Sequence, residues 1–133
     1  MEWEIAARGG NNSPYPFGDQ ISTRQVRFSG GKKLSAPSVV KPQDLPKNSY
    51  KLYHTVGNVR EWVSDDWKNS HNGAPGDGSP RKEEGTNLKV VRGGSYADSS
   101  VDVRSASRAS LFRGDGDTQT GFRVAFTKGD LAK

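Results

Sequence analysis

The chain has 133 residues, enough for one domain with a single modest core. Hydrophobic residues make up 31%, glycines number 16 and the mean hydropathy is −0.85, which excludes a membrane span and favours a loop-rich fold over a helical bundle. Net charge is +5 with Lys and Arg scattered rather than clustered, which argues against nucleic acid as a partner, and the lack of cysteine excludes disulfides, thiolate metal sites and thiol nucleophiles.

Glu2 to Arg8 (EWEIAAR) combines good helix formers with a stop at Gly9-Gly10. The chain thus opens inside a helix with almost no lead-in, which is the expectation for a fragment of a longer protein. Met1 to Glu4 is not a charged-then-apolar signal segment, so a soluble chain is expected and no compartment is assigned. Asn11 to Gly31 is turn-rich, with Tyr15 and Phe17 set among Pro14, Pro16 and Gly18. Lys32 to Ser49 carries three prolines and reads as extended surface chain, with a short strand at Val39-Val40.

Val56 to Trp67 has apolar spacing that predicts a helix of about three turns, with Asp65 and Asp66 facing water. His71 to Gly85 reads as a long exposed loop, and Leu88 to Val91 as a strand ending at Arg92-Gly93-Gly94. Alternation at Val101, Val103 and Ser105 predicts another strand, and Phe122 to Phe126 a last one. The sum is an irregular α+β fold with short strands and long connections.

Few motifs carry chemistry. His54 and His71 lack metal-ligand spacing and read as structural or solvated. Asp115-Gly116-Asp117-Thr118 begins like a calcium loop but lacks the later glycine and glutamate, and Arg113-Gly114-Asp115 is a three-residue match of the kind that arises by chance. Gly57 to Trp62 (GNVREW) is more informative. A glycine and an asparagine turn the chain, the carboxylate of Glu61 then satisfies backbone donors or a cation, and the tryptophans fill the space around it. Asn58, Glu61 and Trp62 are therefore predicted as a structural hub, with stability alone as their role.

Taken in order, the segments EWEIAARGG, YPFGD, NSYKLY, GNVREW, RGGSY, RSASR and GFRV resemble the formylglycine-generating enzyme (sulfatase-modifying factor) family. Four of them parallel its EWEYAARGG, YPWGD, N-x-x-GLYD and GNVWEW. The match runs from residue 2 to about 126 of a single domain over 1–133, leaving 127–133 as a tail. The resemblance implies a variant of the C-type lectin fold with its N-terminal part missing. Members of the family include oxidases that convert a substrate cysteine to formylglycine, iron-linked sulfoxide synthases, ligand-binding proteins, and domains appended to kinases.

Departures from the pattern shape the functional expectation. Asp98 stands where the first copper-binding cysteine would fall, and the second has no counterpart. Of the oxidase pocket only Ser95, Arg104 and Arg108 carry over. For a family calcium site, His54 takes the first place while Gly57, Val59 and Glu61 keep the others; a second site has Arg27 in place of its asparagine. Copper is not expected, no cofactor is expected, and calcium should bind weakly or not at all.

Tyr96 to Thr120 mixes Tyr96, Phe112, Arg104, Arg108 and Arg113 with small residues and acids such as Asp98, a composition suited to recognition. The expected function is a non-catalytic binding or scaffolding module for a protein, peptide or other ligand. The alternative is an accessory or divergent catalytic domain of a larger enzyme.

Overall fold

The computed structural model describes residues 1–32, 41 and 44–126. The expected strand at Val39-Val40 and the 127–133 tail lie outside the described residues. The first helix, α1, runs Glu2–Arg8 and stops at Gly9, whose φ of 59° lets its N–H reach the Ile5 carbonyl at 3.2 Å. Glu2 and Glu4 sit in its first turn and Arg8 in its last, as the helix dipole favours. Asn48 ties off the same end: its buried amide donates to the carbonyls of Ala6 (2.7 Å) and Ala7 (3.0 Å). Its oxygen accepts from the N–H groups of Tyr50 and Leu52.

Four strands follow: β1 Arg60–Asp66, β2 Leu88–Arg92, β3 Arg108–Phe112 and β4 Thr120–Gly121. They form one sheet in the order β3-β2-β1-β4. The β3-β2 and β2-β1 pairs are antiparallel, and β4 lies parallel to the start of β1. A cluster of Tyr15, Val26, Phe28, Val56 and Val103, with Trp3, Phe17 and Ile21 against it, forms the apolar core. Polar staples supplement so small a core; the Tyr15 hydroxyl donates to the Ser100 carbonyl at 2.9 Å.

Several expectations are corrected. Residues 56–67 do not form a helix: Gly57 (φ 75°) and Asn58 (φ 64°) are left-handed, which breaks helical propagation, and the chain continues as β1. Pairing Trp62 with Val91 and Glu61 with Arg92 then overrides the apolar spacing. Asp66, expected in water, is buried and paired with Lys89 Nζ at 2.6 Å.

Residues 101–106 form turns rather than a strand, stitched by Val103 N–H to Ser99 O and Ser107 N–H to Arg104 O. Val103 and Ser105 are buried but Val101 is exposed, so the alternation marked burial only in part and without a ladder. The last strand ends at Gly121, and Phe122, Val124 and Phe126 are exposed. The chain leaves the ladder where Arg123 reaches across to Glu61 and the Tyr53 and His54 carbonyls. The 71–85 loop is anchored rather than merely exposed. Buried Arg81 donates to the carbonyls of Ser70 and Asn72, and its own N–H meets the Asp65 carboxylate at 2.8 Å.

Candidate functional site

Beyond β2 the chain turns sharply at Gly93 and Gly94. Gly94 has φ 66°, and a Cβ there would lie 2.6 Å from Val103 Cγ1, so only glycine allows the 94–103 segment to close on itself. This closure positions an open cleft of about 390 Å³ between the turns and the sheet, lined by Arg60, Asp98, Asp102, Arg104, Ser107 and Arg108 among others.

Its floor is an ion-paired network. Arg60 meets Asp98 through two bonds, Nε to Oδ2 at 3.1 Å and Nη2 to Oδ1 at 3.2 Å. The same Arg60 Nη2 donates to Gln119 Oε1 at 3.0 Å, which also accepts from the Ser95 hydroxyl at 2.8 Å. Ser95 N–H donates to Asp98 Oδ2 at 2.8 Å. Burial pushes the Asp98 carboxyl up, but the Arg60 and Ser95 donors outweigh it and hold the group below its ordinary value. Asp98 is thus a fixed, charged acceptor.

Arg104 and Arg108 stand at the walls. Arg104 Nε donates to the Val101 carbonyl at 2.8 Å. Arg108 Nη2 donates to the Lys68 carbonyl at 3.2 Å, and its guanidinium lies 4.8 Å over the Trp67 ring.

Among the residues singled out from sequence, Asp98, Arg104 and Arg108 line this cleft, with Ser95 buried beneath it. Tyr96 is buried, its hydroxyl 3.3 Å from Thr118 Oγ1, and does not line the cleft. Phe112 and Arg113 lie beyond it at the far end of β3, where Phe112 is exposed and Arg113 approaches Asp66. Arg60 and Gln119 were missed. Arg60 stands at the tryptophan position of the GNVWEW pattern, a departure that could have flagged it; Gln119 offered no signal.

The GNVREW carboxylate sits apart from the cleft. Glu61 Oε2 accepts from Trp3 Nε1 at 2.7 Å, and Arg123 donates to both Glu61 oxygens. The indole bonded to Glu61 is therefore that of Trp3, while Trp62 lines an apolar groove of about 250 Å³ with Trp3, Val63 and Pro80. Asn58 contributes backbone: its N–H donates to Arg27 O and its carbonyl accepts from Tyr96 N–H, each at 2.8 Å.

The carboxylate of the candidate calcium ligands is already engaged within the chain. A calcium ion among Gly57, Val59 and Glu61 would need the carboxylate that Arg123 and Trp3 already engage. Copper(I) prefers sulfur donors, and the chain has no cysteine. Among the described residues no group of three or more His, Asp or Glu side chains gathers to hold an ion.

The model of the sulfatase-modifying factor enzyme 1-like domain matches residues 1–128. The chain is 30% identical over 106 residues to the formylglycine-generating enzyme of Bos taurus, covering 71% of this chain and 28% of that protein. It is 30% identical over 146 residues to the inactive C-alpha-formylglycine-generating enzyme 2 of Mus musculus, covering 96% and 42%. Among solved structures, PvdO from Pseudomonas aeruginosa superposes with a TM-score of 0.80 at 33% identity, over 91% of this chain and 48% of PvdO. The chain therefore spans less than half the length of each of these relatives.

Proposed function

The chain belongs to the sulfatase-modifying factor enzyme 1-like family, and from that premise we propose that it is a non-catalytic binding or scaffolding module whose ligand enters the Arg60–Asp98 cleft. One observation carries this reading. Two departures from the family pattern, Arg60 for tryptophan and Asp98 for the first cysteine, meet each other as a bidentate ion pair. A position that would bear a reactive thiolate is here a carboxylate consumed by a guanidinium. Such a pair can orient a ligand, but it can neither hold a soft metal nor exchange with a substrate thiol. The match to a relative named as inactive supports the same reading.

The test is to incubate copper-treated protein with a cysteine-containing sulfatase-type peptide under oxygen and follow peptide mass. The expected result is an unchanged peptide. Aldehyde formation above a protein-free control overturns the reading.

A second reading, an accessory domain of a larger enzyme, is favoured by similarity to the serine/threonine-protein kinase pkn1 of Chlamydia caviae, 32% identical over 93% of this chain and 20% of that protein. Sequencing the parent gene on both sides decides it: a fused catalytic domain supports the accessory role, and its absence removes it.

A further inference from the structure

We propose that the cleft holds a carboxylate-rich peptide segment, gripped by Arg104 and Arg108. This rests on the binding-module reading and names the chemistry of its ligand. The first observation is charge accounting. Arg8, Arg60, Arg81, Arg92, Arg113 and Arg123 each lie within ion-pair distance of a carboxylate. Arg104 and Arg108 have no such partner among the described residues, although both line a single cleft.

Both are nonetheless held in place. Each gives one N–H to a backbone carbonyl, Val101 for Arg104 and Lys68 for Arg108, and Arg108 also rests on the Trp67 ring. A neutral carbonyl fixes a guanidinium without cancelling its charge, so most N–H donors stay available in a set geometry. Carboxylates match that fork.

A standing electrostatic cost points the same way. Arg108 lies directly opposite Arg92 across the β2-β3 ladder, a like-charge arrangement that disfavours the pair. Arg92 is relieved by Glu4, and its pKa is lowered, chiefly by burial, with Arg108 adding to the effect. Arg108 has no matching relief within the described chain. A bound carboxylate would supply it.

The cleft's shape and remaining charges select a peptide. It adjoins a second hollow of about 330 Å³ lined by Arg8, Asn12 and Pro14, and the two share Arg104 and Ser107, so an extended ligand is accommodated. Among the described residues no aromatic ring lines either hollow to stack a nucleobase. Asp98 is neutralised by Arg60, and Asp102 accepts from the Ser99 hydroxyl at 2.6 Å. Asp102, without a cationic partner among the described residues, would oppose a continuous phosphate backbone, whereas a peptide can set an N–H group beside it between its carboxylates.

Fluorescence polarisation on the full chain tests this with three labelled peptides of equal length, in which glutamate, glutamine or lysine alternates with glycine. The glutamate peptide should bind, more weakly as salt is raised. Arg104→Gln and Arg108→Gln should each weaken it by about tenfold, the loss of one charge-assisted contact. Arg24→Gln, an exposed arginine outside the cleft, removes the same charge and should change affinity by less than about twofold. Circular dichroism checks each fold; should Arg108→Gln unfold, Arg108→Lys keeps the charge without the fork and should still weaken binding.

Equal loss from Arg24→Gln, or no binding of the glutamate peptide, overturns the proposal. Binding of the glutamine or lysine peptide that Arg104→Gln abolishes also overturns it, but leaves the module reading standing. Only oxidation of the cysteine peptide described above removes that reading itself.

Discussion

Arg123 grips Glu61 through both carboxylate oxygens, at 2.7 and 3.1 Å, and so joins the segment after β4 to the buried start of β1. Trp3 Nε1 reaches the same carboxylate at 2.7 Å, so α1, β1 and the C-terminal segment converge on one side chain. Glu61→Ala should lower unfolding free energy by about 2 kcal/mol, because a buried acceptor is lost and its donors are stranded while Arg123 remains partly hydrated. Urea denaturation measures it. An unchanged midpoint would show that the junction contributes nothing.

Gly57 supplies a second test of the GNVREW stretch. Its φ is 75°, and a Cβ would lie 2.4 Å from the Arg27 carbonyl oxygen. Gly57→Ala should cost about 3 kcal/mol, combining left-handed strain with a backbone clash that cannot relax cheaply. Gly85→Ala is the control, with φ 74° but open space around it, and should cost about 1 kcal/mol. Equal losses in thermal melts would contradict the steric argument.

Acid should destabilise the fold through specific carboxylates. Lys89 and the Glu83 N–H hold Asp66 below its ordinary value, outweighing burial. Burial raises Asp98 and Glu4, but arginine partners prevail and both end lowered. Depressed folded values mean that this stability is present above the unfolded carboxyl range, roughly pH 4, and is lost as pH falls through the lower folded values. Urea midpoints should therefore decline below about pH 4, and Asp66→Asn should flatten that decline while lowering stability at neutral pH. A wild-type profile that stays level down to pH 3 would refute the assignment.

Calcium should leave the thermal midpoint unchanged to within about 1 °C at millimolar concentration, since an ion that does not bind the native state cannot stabilise it. The Glu61 carboxylate that would hold it is turned to Arg123. A concentration-dependent rise in scanning fluorimetry would show that the ion displaces the guanidinium.

What the sequence determined by itself was local or carried by family resemblance. Helix α1 and its Gly9 stop follow from propensity and a left-handed cap, and β2 from a β-branched run closed by glycines. Of the residues named as ligand-binding, Asp98, Arg104 and Arg108 line one cleft, while Tyr96, Phe112 and Arg113 do not. Tertiary structure decided the rest. Residues 56–67 carry apolar spacing compatible with helix or strand, and only pairing with β2 selected β1. Phe122 to Phe126 had strand composition but leave the ladder where Arg123 turns to Glu61. Arg60 and Asp98 lie 38 residues apart and Ser95 and Gln119 lie 24 apart, so neither bond has a local signature. Propensity and capping act over a few residues, whereas an ion pair or a ladder exists only after the chain has closed the loops between its partners.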